Sequence, residues 1–321
     1  MKISDLGEIE LIKIISSKTK LFSKDIIKGI GDDTAVLKFN KKYFLLLTTD
    51  TLVEDDHFNL KWFKPEQIGK KAIESNVSDI AAMGGFPKYA LVSLILPKNT
   101  SINFFNKLYN GLNKTSEKYK ISIIGGNLSS GNKISVTISL IGLVEKKNLC
   151  LRSNAKVNDL ILVTGNLGSS RAGLELFRSN KKGSSINYYL NPTSKLNIAR
   201  QLINYGINAM EDVSDGLASE VLNICSESKV GAVIYKEKIP LSKTTILDAK
   251  KVKKDPYNYA LYGGEDFELV FTINKDNLKK LNKKIKFAVV GKILPKKSGI
   301  YLLDKGRKKK LNYGYEHFKN N

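Results

Sequence analysis

The stretch from Gly29 to Phe58, GIGDDTAVLKFNKKYFLLLTTDTLVEDDHF, restricts the fold more than any other part of the chain. It sets six carboxylates (Asp32, Asp33, Asp50, Glu54, Asp55, Asp56) against three lysines, in a protein whose net charge is +22. Like charges held together repel and raise one another's pKa unless a cation lies among them. A fold that gathers these groups must therefore bring a cation to them. Two readings fit the stretch alone: a divalent-metal site, or a pair of acidic turns flanking a strand.

Two further acidic knots follow. EDVSDGLASE, from Glu211 to Glu220, carries four carboxylates and no basic residue, and GGEDFELVF spans Gly263 to Phe271. VSDG in the first of them echoes VSDI at Val77 to Ile80, and in both the Ser-Asp pair could cap a helix. Pro65 suits the first turn of a helix running from Glu66 to about Met83 and closed by Gly84 and Gly85. Asp79 lies within it among Val77, Ile80, Ala81 and Ala82, with Asn76 on the same face. A carboxylate on a buried side needs a cation or a hydrogen-bond partner; the other reading leaves Asp79 facing solvent.

The remaining pattern alternates. Residues 5 to 16 have helical apolar spacing. A β-type run from Tyr43 to Thr48 is expected to deliver Thr48, Thr49 and Asp50 at its end, where a rigid backbone meets an open loop. A strand at Tyr89 to Leu96, a helix from about Asn103 to Lys118, a short strand ending at Gly125 and Gly126, and a long strand from Lys133 to Glu145 complete an α+β half. Asn127 is expected at the end of the short strand. Lys146 to Asn158 reads as a boundary, followed by the strand DLILVTG and by NLGSSRAGLELF, a Gly/Ser loop opening a helix. Such a loop can offer N–H groups to a phosphate or can be ordinary architecture.

Composition removes several classes. At 321 residues two domains are expected. No apolar run reaches a membrane span, and Asp5, Glu8 and Glu10 interrupt what a signal peptide would need, so the chain reads as soluble, unexported and cytoplasmic. Cys150 and Cys225 lie far apart and outside any CxxC, which argues against a disulfide framework or a zinc site. Only five of the 53 basic residues are arginine (Arg152, Arg171, Arg178, Arg200, Arg307), which argues against specific nucleic-acid recognition. Neither GxxxxGK[ST] nor a GxGxxG following a strand is present.

Scattered Asp residues beside Thr48, Thr49, Ser78 and Ser214 suit hard, oxygen-loving Mg²⁺, and more than one ion of it. Phosphoryl transfer asks a protein for positioning and charge cancellation more than for a nucleophile, which matches a carboxylate-rich chain.

In order, GIGDDTAVL, TTDTLVEDDHF, NVSDIAAMGG, IIGGN, LRSNAKVND, LVTGNLGSSRAGL, DVSDGL, YGGEDFEL and GYEHF resemble thiamine-monophosphate kinase. That family belongs to the superfamily of aminoimidazole ribonucleotide synthetase and selenophosphate synthetase. The match runs through nearly the whole chain, whereas a lone GDD or SDG would carry little. It implies an α+β (α/β layered), two-domain aminoimidazole ribonucleotide synthetase-like fold. Residues 1–148 would form an N-terminal metal/ATP-binding and dimerisation domain whose mixed sheet makes the homodimer interface, and residues 149–321 a C-terminal α/β domain completing the active site.

The implied activity is Mg-assisted, in-line transfer of the γ-phosphate of ATP, as co-substrate, onto thiamine monophosphate to give thiamine diphosphate. Carried over by position, the Mg²⁺ ligands are Asp32, Thr48, Thr49, Asp50, Asp79, Asp212 and Asp215, with Asp50, Asp79 and Asp212 catalytic. ATP contacts fall on Gly126, Arg152 and Ser214, and substrate contacts on His57, Glu265 and Tyr315. The forked donors of Arg152 suit a polyphosphate, though a plain surface arginine fits the residues equally.

Where the family has Gly-Gly-Asp, this chain has Gly125-Gly126-Asn127, so one ligand loses its charge; an amide oxygen still coordinates Mg²⁺. Asn127 is therefore kept as a metal ligand with a raised Mg²⁺ requirement. The alternatives are another ATP-dependent enzyme of the superfamily, or a catalytically weakened nucleotide-binding protein. Selenophosphate synthetase would want a reactive Cys in an N-terminal loop and the hydrogenase-maturation relative a C-terminal Cys; this sequence closes on Lys319-Asn320-Asn321.

Overall fold

The computed structural model describes residues 2–281 and 284–318; Lys319-Asn320-Asn321 lies outside the described residues. Six strands build the first sheet: β1 Ile26–Lys28, β2 Ala35–Lys38, β3 Tyr43–Val53, β4 Phe86–Leu96, β5 Ser122–Ser130 and β6 Ser135–Glu145. Their order is β1-β2-β3-β6-β4-β5, with β4 and β5 parallel and the other pairs antiparallel.

β3 does not stop at Thr48. Every residue from Tyr43 to Val53 pairs with β6, so Asp50 lies inside the strand opposite Ile138. Strand alternation then puts Leu46, Thr48, Asp50 and Leu52 on one face. The Pro65–Ala82 helix packs on that face, and Leu46, Ile73, Val77, Ile80, Val136 and Ile138 become fully buried between them. Each such side chain contributes about 1.5–3 kcal/mol, so helix and sheet hold one another rigidly.

β5 likewise runs on through Gly125, Gly126 and Asn127. Gly126 sits at φ +154°, and a Cβ there would stand 1.8 Å from the Val92 carbonyl oxygen. Only glycine allows this close approach of β5 to β4. Among the described residues no helix covers the opposite face of the sheet, and Tyr89, Leu91 and Ile95 of β4 stay 39–45% exposed there.

The second sheet comprises β7 Leu160–Thr164, β8 Met210–Asp212, β9 Gly231–Tyr235, β10 Leu269–Ile273, β11 Phe287–Leu294, β12 Ile300–Asp304 and β13 Arg307–Lys310. The order is β13-β12-β9-β11-β7-β10-β8, which leaves β8 on the edge nearest the Pro65–Ala82 helix. One hydrophobic core runs from Leu46 and Ile80 through Leu162, Met210 and Phe271, joining the two halves. Among the described residues no helix is long and apolar enough to cross a membrane.

Candidate active site

The junction between the two sheets is acidic. β3 presents Thr48 and Asp50, the Pro65–Ala82 helix presents Asp79 and Ser78, β8 ends on Asp212, and the turn before β2 supplies Asp32 and Asp33. Thr48 Oγ1 donates to Asp79 Oδ2 at 2.5 Å, and Ser78 Oγ to Asp212 Oδ2 at 2.6 Å. The second bond joins segments 134 residues apart and brings the VSDI and VSDG echoes together. VSDI lies within its helix and caps nothing. Ahead of the Leu217–Ser228 helix the N–H groups of Ser214 and Asp215 are instead taken by Glu220 Oε1.

Burial pushes the Asp79 and Asp212 carboxyls well above the ordinary range, and neighbouring carboxylates push them further: Asp50, Asp212 and Asp33 on Asp79, Asp33 and Asp50 on Asp212. Asp32, its side chain fully buried, is raised to about 7 by burial and then by Asp33. Among the described residues Arg152 is the cation that reaches into this group, with Nη2 2.6 Å from Asp33 Oδ1 and 2.8 Å from Glu211 Oε1. Its backbone N–H points at both oxygens of Asp32, at 3.3–3.4 Å. Asp33 Oδ2 and Glu211 Oε2 remain buried without a hydrogen-bond partner. One guanidinium cannot offset so many carboxylates, and the donor set of carboxylate and hydroxyl oxygens fits Mg²⁺.

The cluster opens on a cleft of about 410 Å³, whose lining includes Asp50, Lys71, Ser214, Asp215, Glu265 and Tyr315. At its far end the C-terminal segment straps across. The Tyr315 N–H donates to the Asp215 carbonyl oxygen at 3.1 Å, the Tyr315 hydroxyl to Asp56 Oδ1 at 3.1 Å, and the His317 N–H to Glu8 Oε2 at 3.1 Å. Among the described residues, Asp56, His57 and His317 are the one trio of His or acidic residues with ligand atoms within 4.8 Å of one another. His57 Nδ1, however, already accepts the Val53 N–H at 3.1 Å, which places its proton on Nε2. Burial holds the His57 pKa below its usual value, so this imidazole is a neutral donor rather than a ligand. The wider spacing of the acidic cluster suits several ions sharing waters and ligand phosphates better than one tightly caged ion.

Family models match both halves: "AIR synthase related protein, N-terminal domain" over residues 31–144, and the corresponding C-terminal domain over 156–303. The thiamine-monophosphate kinase of Buchnera aphidicola subsp. Schizaphis graminum is 40% identical, covering 98% of this chain and 99% of the relative; that of Bacillus subtilis is 35% identical over 98% and 100%. The chain belongs to the thiamine-monophosphate kinase family. A solved structure of AaThiL complexed with AMPPCP and TMP superposes with a TM-score of 0.87 at 36% identity, covering 99% of both chains. Full-length kinase relatives do not favour either alternative reading.

Set on this kinase fold, the expected site residues separate. Asp32, Thr48, Asp50, Asp79 and Asp212 meet at the junction, and Thr49, Asp50, His57, Ser214, Asp215, Glu265 and Tyr315 line the cleft. Gly126 and Asn127 do not join them within one chain. Gly126 shares a row with Val92, Ile138 and Asp50, and Asn127 a row with Ser93, Thr137 and Thr51. Three strand spacings make roughly 14 Å. Neither Asp50 nor Asn127 is at a strand end, because pairing with β6 and β4 carries both strands past the polar residues.

Arg152 meets Asp33 and Glu211 through the same nitrogen, Nη2, so its fork bridges the two halves, while its Nε is buried without a hydrogen-bond partner. The Gly/Ser loop turns two of its N–H groups to a carboxylate of the protein itself. Asp266 accepts the N–H groups of Gly168 and Ser170, and burial raises its own carboxyl to about 7. Sequence reading missed Lys71, Glu211 and His317. Lys71 had a signal, since it stands four and eight residues before Ser75 and Asp79 on one helical face.

Proposed function

We propose that the chain transfers the γ-phosphate of ATP to the phosphate of thiamine monophosphate, giving thiamine diphosphate and ADP. The observation that carries this reading is a set of carboxylates short of positive charge, opening directly on a cleft of about 410 Å³. Asp32, Thr48, Thr49, Asp50, Asp79, Asp212 and Asp215 would hold Mg²⁺, which when bound cancels charge on the transferring phosphoryl group. Asp50, Asp79 and Asp212 are the residues on which turnover depends. An acceptor phosphate oxygen attacks the γ-phosphorus in line as the bond to the β-phosphate oxygen breaks, so no protein nucleophile is required. The chain contributes alignment and exclusion of water.

Ser214 and Arg152 would contact the nucleotide, and the Nη2 of Arg152 also keeps Asp33 and Glu211 from repelling the two halves apart. His57 Nε2–H suits the acceptor's phosphate, Glu265 its cationic thiazolium, and Tyr315 its ring. The uncovered face of the first sheet, with Tyr89, Leu91 and Ile95 exposed, fits a second copy of the chain, and a homodimer is part of this reading. A contribution from Gly126 or Asn127 would have to come through that second copy. Dependence on ATP favours a cytoplasmic setting. The test is direct: purified protein, ATP, Mg²⁺ and thiamine monophosphate are incubated and thiamine diphosphate is assayed. Bound ATP with no product at any Mg²⁺ concentration would sink the kinase reading in favour of a nucleotide-binding module.

A further inference from the structure

Lys71 is fully buried yet lines the cleft, a setting in which an ammonium persists only when partners replace its lost hydration. Nζ lies 2.5 Å from Glu265 Oε1 and donates to the His57 carbonyl oxygen at 2.6 Å. The rings of Phe63 and Tyr189 flank it at 5.4 and 5.1 Å, a cation–π setting that suits a desolvated cation. Three separate pieces of chain meet at this one atom: the Pro65–Ala82 helix, the turn after β3 that carries His57, and the GGEDF turn that carries Glu265.

That last turn is strained. Glu265 has φ +65° and Phe267 φ +48°, left-handed values that bulky residues adopt only where their surroundings over-determine them. Two backbone bonds do part of this: Glu265 N–H to the Ser214 carbonyl oxygen at 2.7 Å and Phe267 N–H to that of Val213 at 3.0 Å. The Lys71 ammonium fixes the side chain itself.

We propose that Lys71 is a positioning residue for the acceptor: it locks Glu265 against the His57 turn, so that the carboxylate meets the cationic part of thiamine monophosphate in one fixed place. The inference rests on the acceptor reading given above. It predicts a split between the two substrates. Lys71→Met should raise KM for thiamine monophosphate about tenfold or more, as expected when one partner of a buried charge pair is removed, while KM for ATP stays within about twofold.

The double variant Lys71→Met/Glu265→Gln separates positioning from simple packing. With both charges gone its melting temperature should recover, yet KM for thiamine monophosphate should remain as high as in Glu265→Gln alone. Recovery of KM together with the melting temperature overturns the proposal, as does an unchanged KM in Lys71→Met. Should Lys71→Met fail to fold, the double variant carries the comparison. Hydrogen exchange gives a reading independent of turnover: the Glu265 and Phe267 amides should lose protection in Lys71→Met while those of the Pro65–Ala82 helix keep theirs. Unchanged protection refutes the lock. A wild-type protein that turns over no thiamine monophosphate removes the acceptor named here, and the exchange result still decides whether Lys71 fixes the turn.

Discussion

Asp79 and Lys71 stand eight residues apart on one helix, about 12 Å along its axis, and their surroundings are built on contrary terms. Around Asp79 the carboxylates outnumber the cations, and hydroxyls from Thr48 and Ser78 are the main relief. Around Lys71 charge is matched: Glu265 answers the ammonium, and the nearby Asp56 accepts the Tyr315 hydroxyl and lies 3.4 Å from His317 Nδ1. Charge left unmatched marks where the protein relies on something it binds. Charge matched at cost to hydration marks where it fixes a shape.

The largest effect should come from the unmatched end. Asp50→Ala or Asp79→Ala is expected to lower kcat by at least about 10³-fold, the scale of losing charge stabilisation in the transition state. Neither should lower the melting temperature of the metal-free protein, because each removes a carboxylate whose neighbours and burial oppose its ionisation. Lys71→Met should do the reverse, with a lower melting temperature and a smaller loss of turnover. Near-normal turnover in either Asp variant takes that residue off the metal list; a large drop in its melting temperature erases the contrast itself.

A weaker but more general effect follows from pH. Asp32 and Asp215 are each raised to about 7 in the folded protein, by burial first and then by Asp33 and Glu8 respectively, from ordinary values near 3.8. The folded state therefore holds their protons more tightly than the unfolded chain. Stability from these groups is complete below about pH 4 and is lost as pH rises through about 7. Mg²⁺ needs the ionised carboxylates, so its stabilisation should grow over the same interval. Thermal melts in chelator and in excess Mg²⁺ should differ by a few degrees at pH 8, corresponding to about 2.7 kcal/mol at a hundredfold excess over Kd, and by less at pH 6. A gap of equal size at both pH values would separate the ion from these carboxylates.

The sequence showed this contrast unevenly. Periodicity was enough for the Pro65–Ala82 helix and for β7, where apolar spacing and a starting proline speak for themselves. It failed at the ends of β3 and β5, because backbone pairing with β6 and β4 carries them on, and along β3 the polar side chains find partners on the neighbour: Thr49 meets Ser139 at 3.1 Å and Thr51 meets Thr137 at 2.9 Å. One strand read alone cannot reveal that. The acidic residues of the junction were legible as anomalies of charge, but not which had partners. Arg152 stood out as a rare arginine, yet only the fold shows Asp33 and Glu211 closing on it. Lys71 was hidden among 53 basic residues, since burial is what sets it apart.

The smallest expected effect tests how far the unmatched cluster extends. Within one chain Asn127 lies on the exposed edge strand, its amide nitrogen donating to Ser129 Oγ at 3.1 Å, roughly 14 Å across the sheet from Thr51. If a second copy packs on the open face and brings Asn127 to the metal site, Asn127→Asp adds one charge to a ligand that is already an oxygen. The Mg²⁺ concentration for half-maximal rate should then fall about three- to tenfold with kcat nearly unchanged, a modest gain because the amide oxygen already serves. The measurement is the Mg²⁺ dependence of initial rate for wild type and variant, alongside the association state of each. A dimeric variant with an unchanged Mg²⁺ dependence confines the cluster to the carboxylates of a single chain, whereas a shifted dependence makes the edge strand part of it.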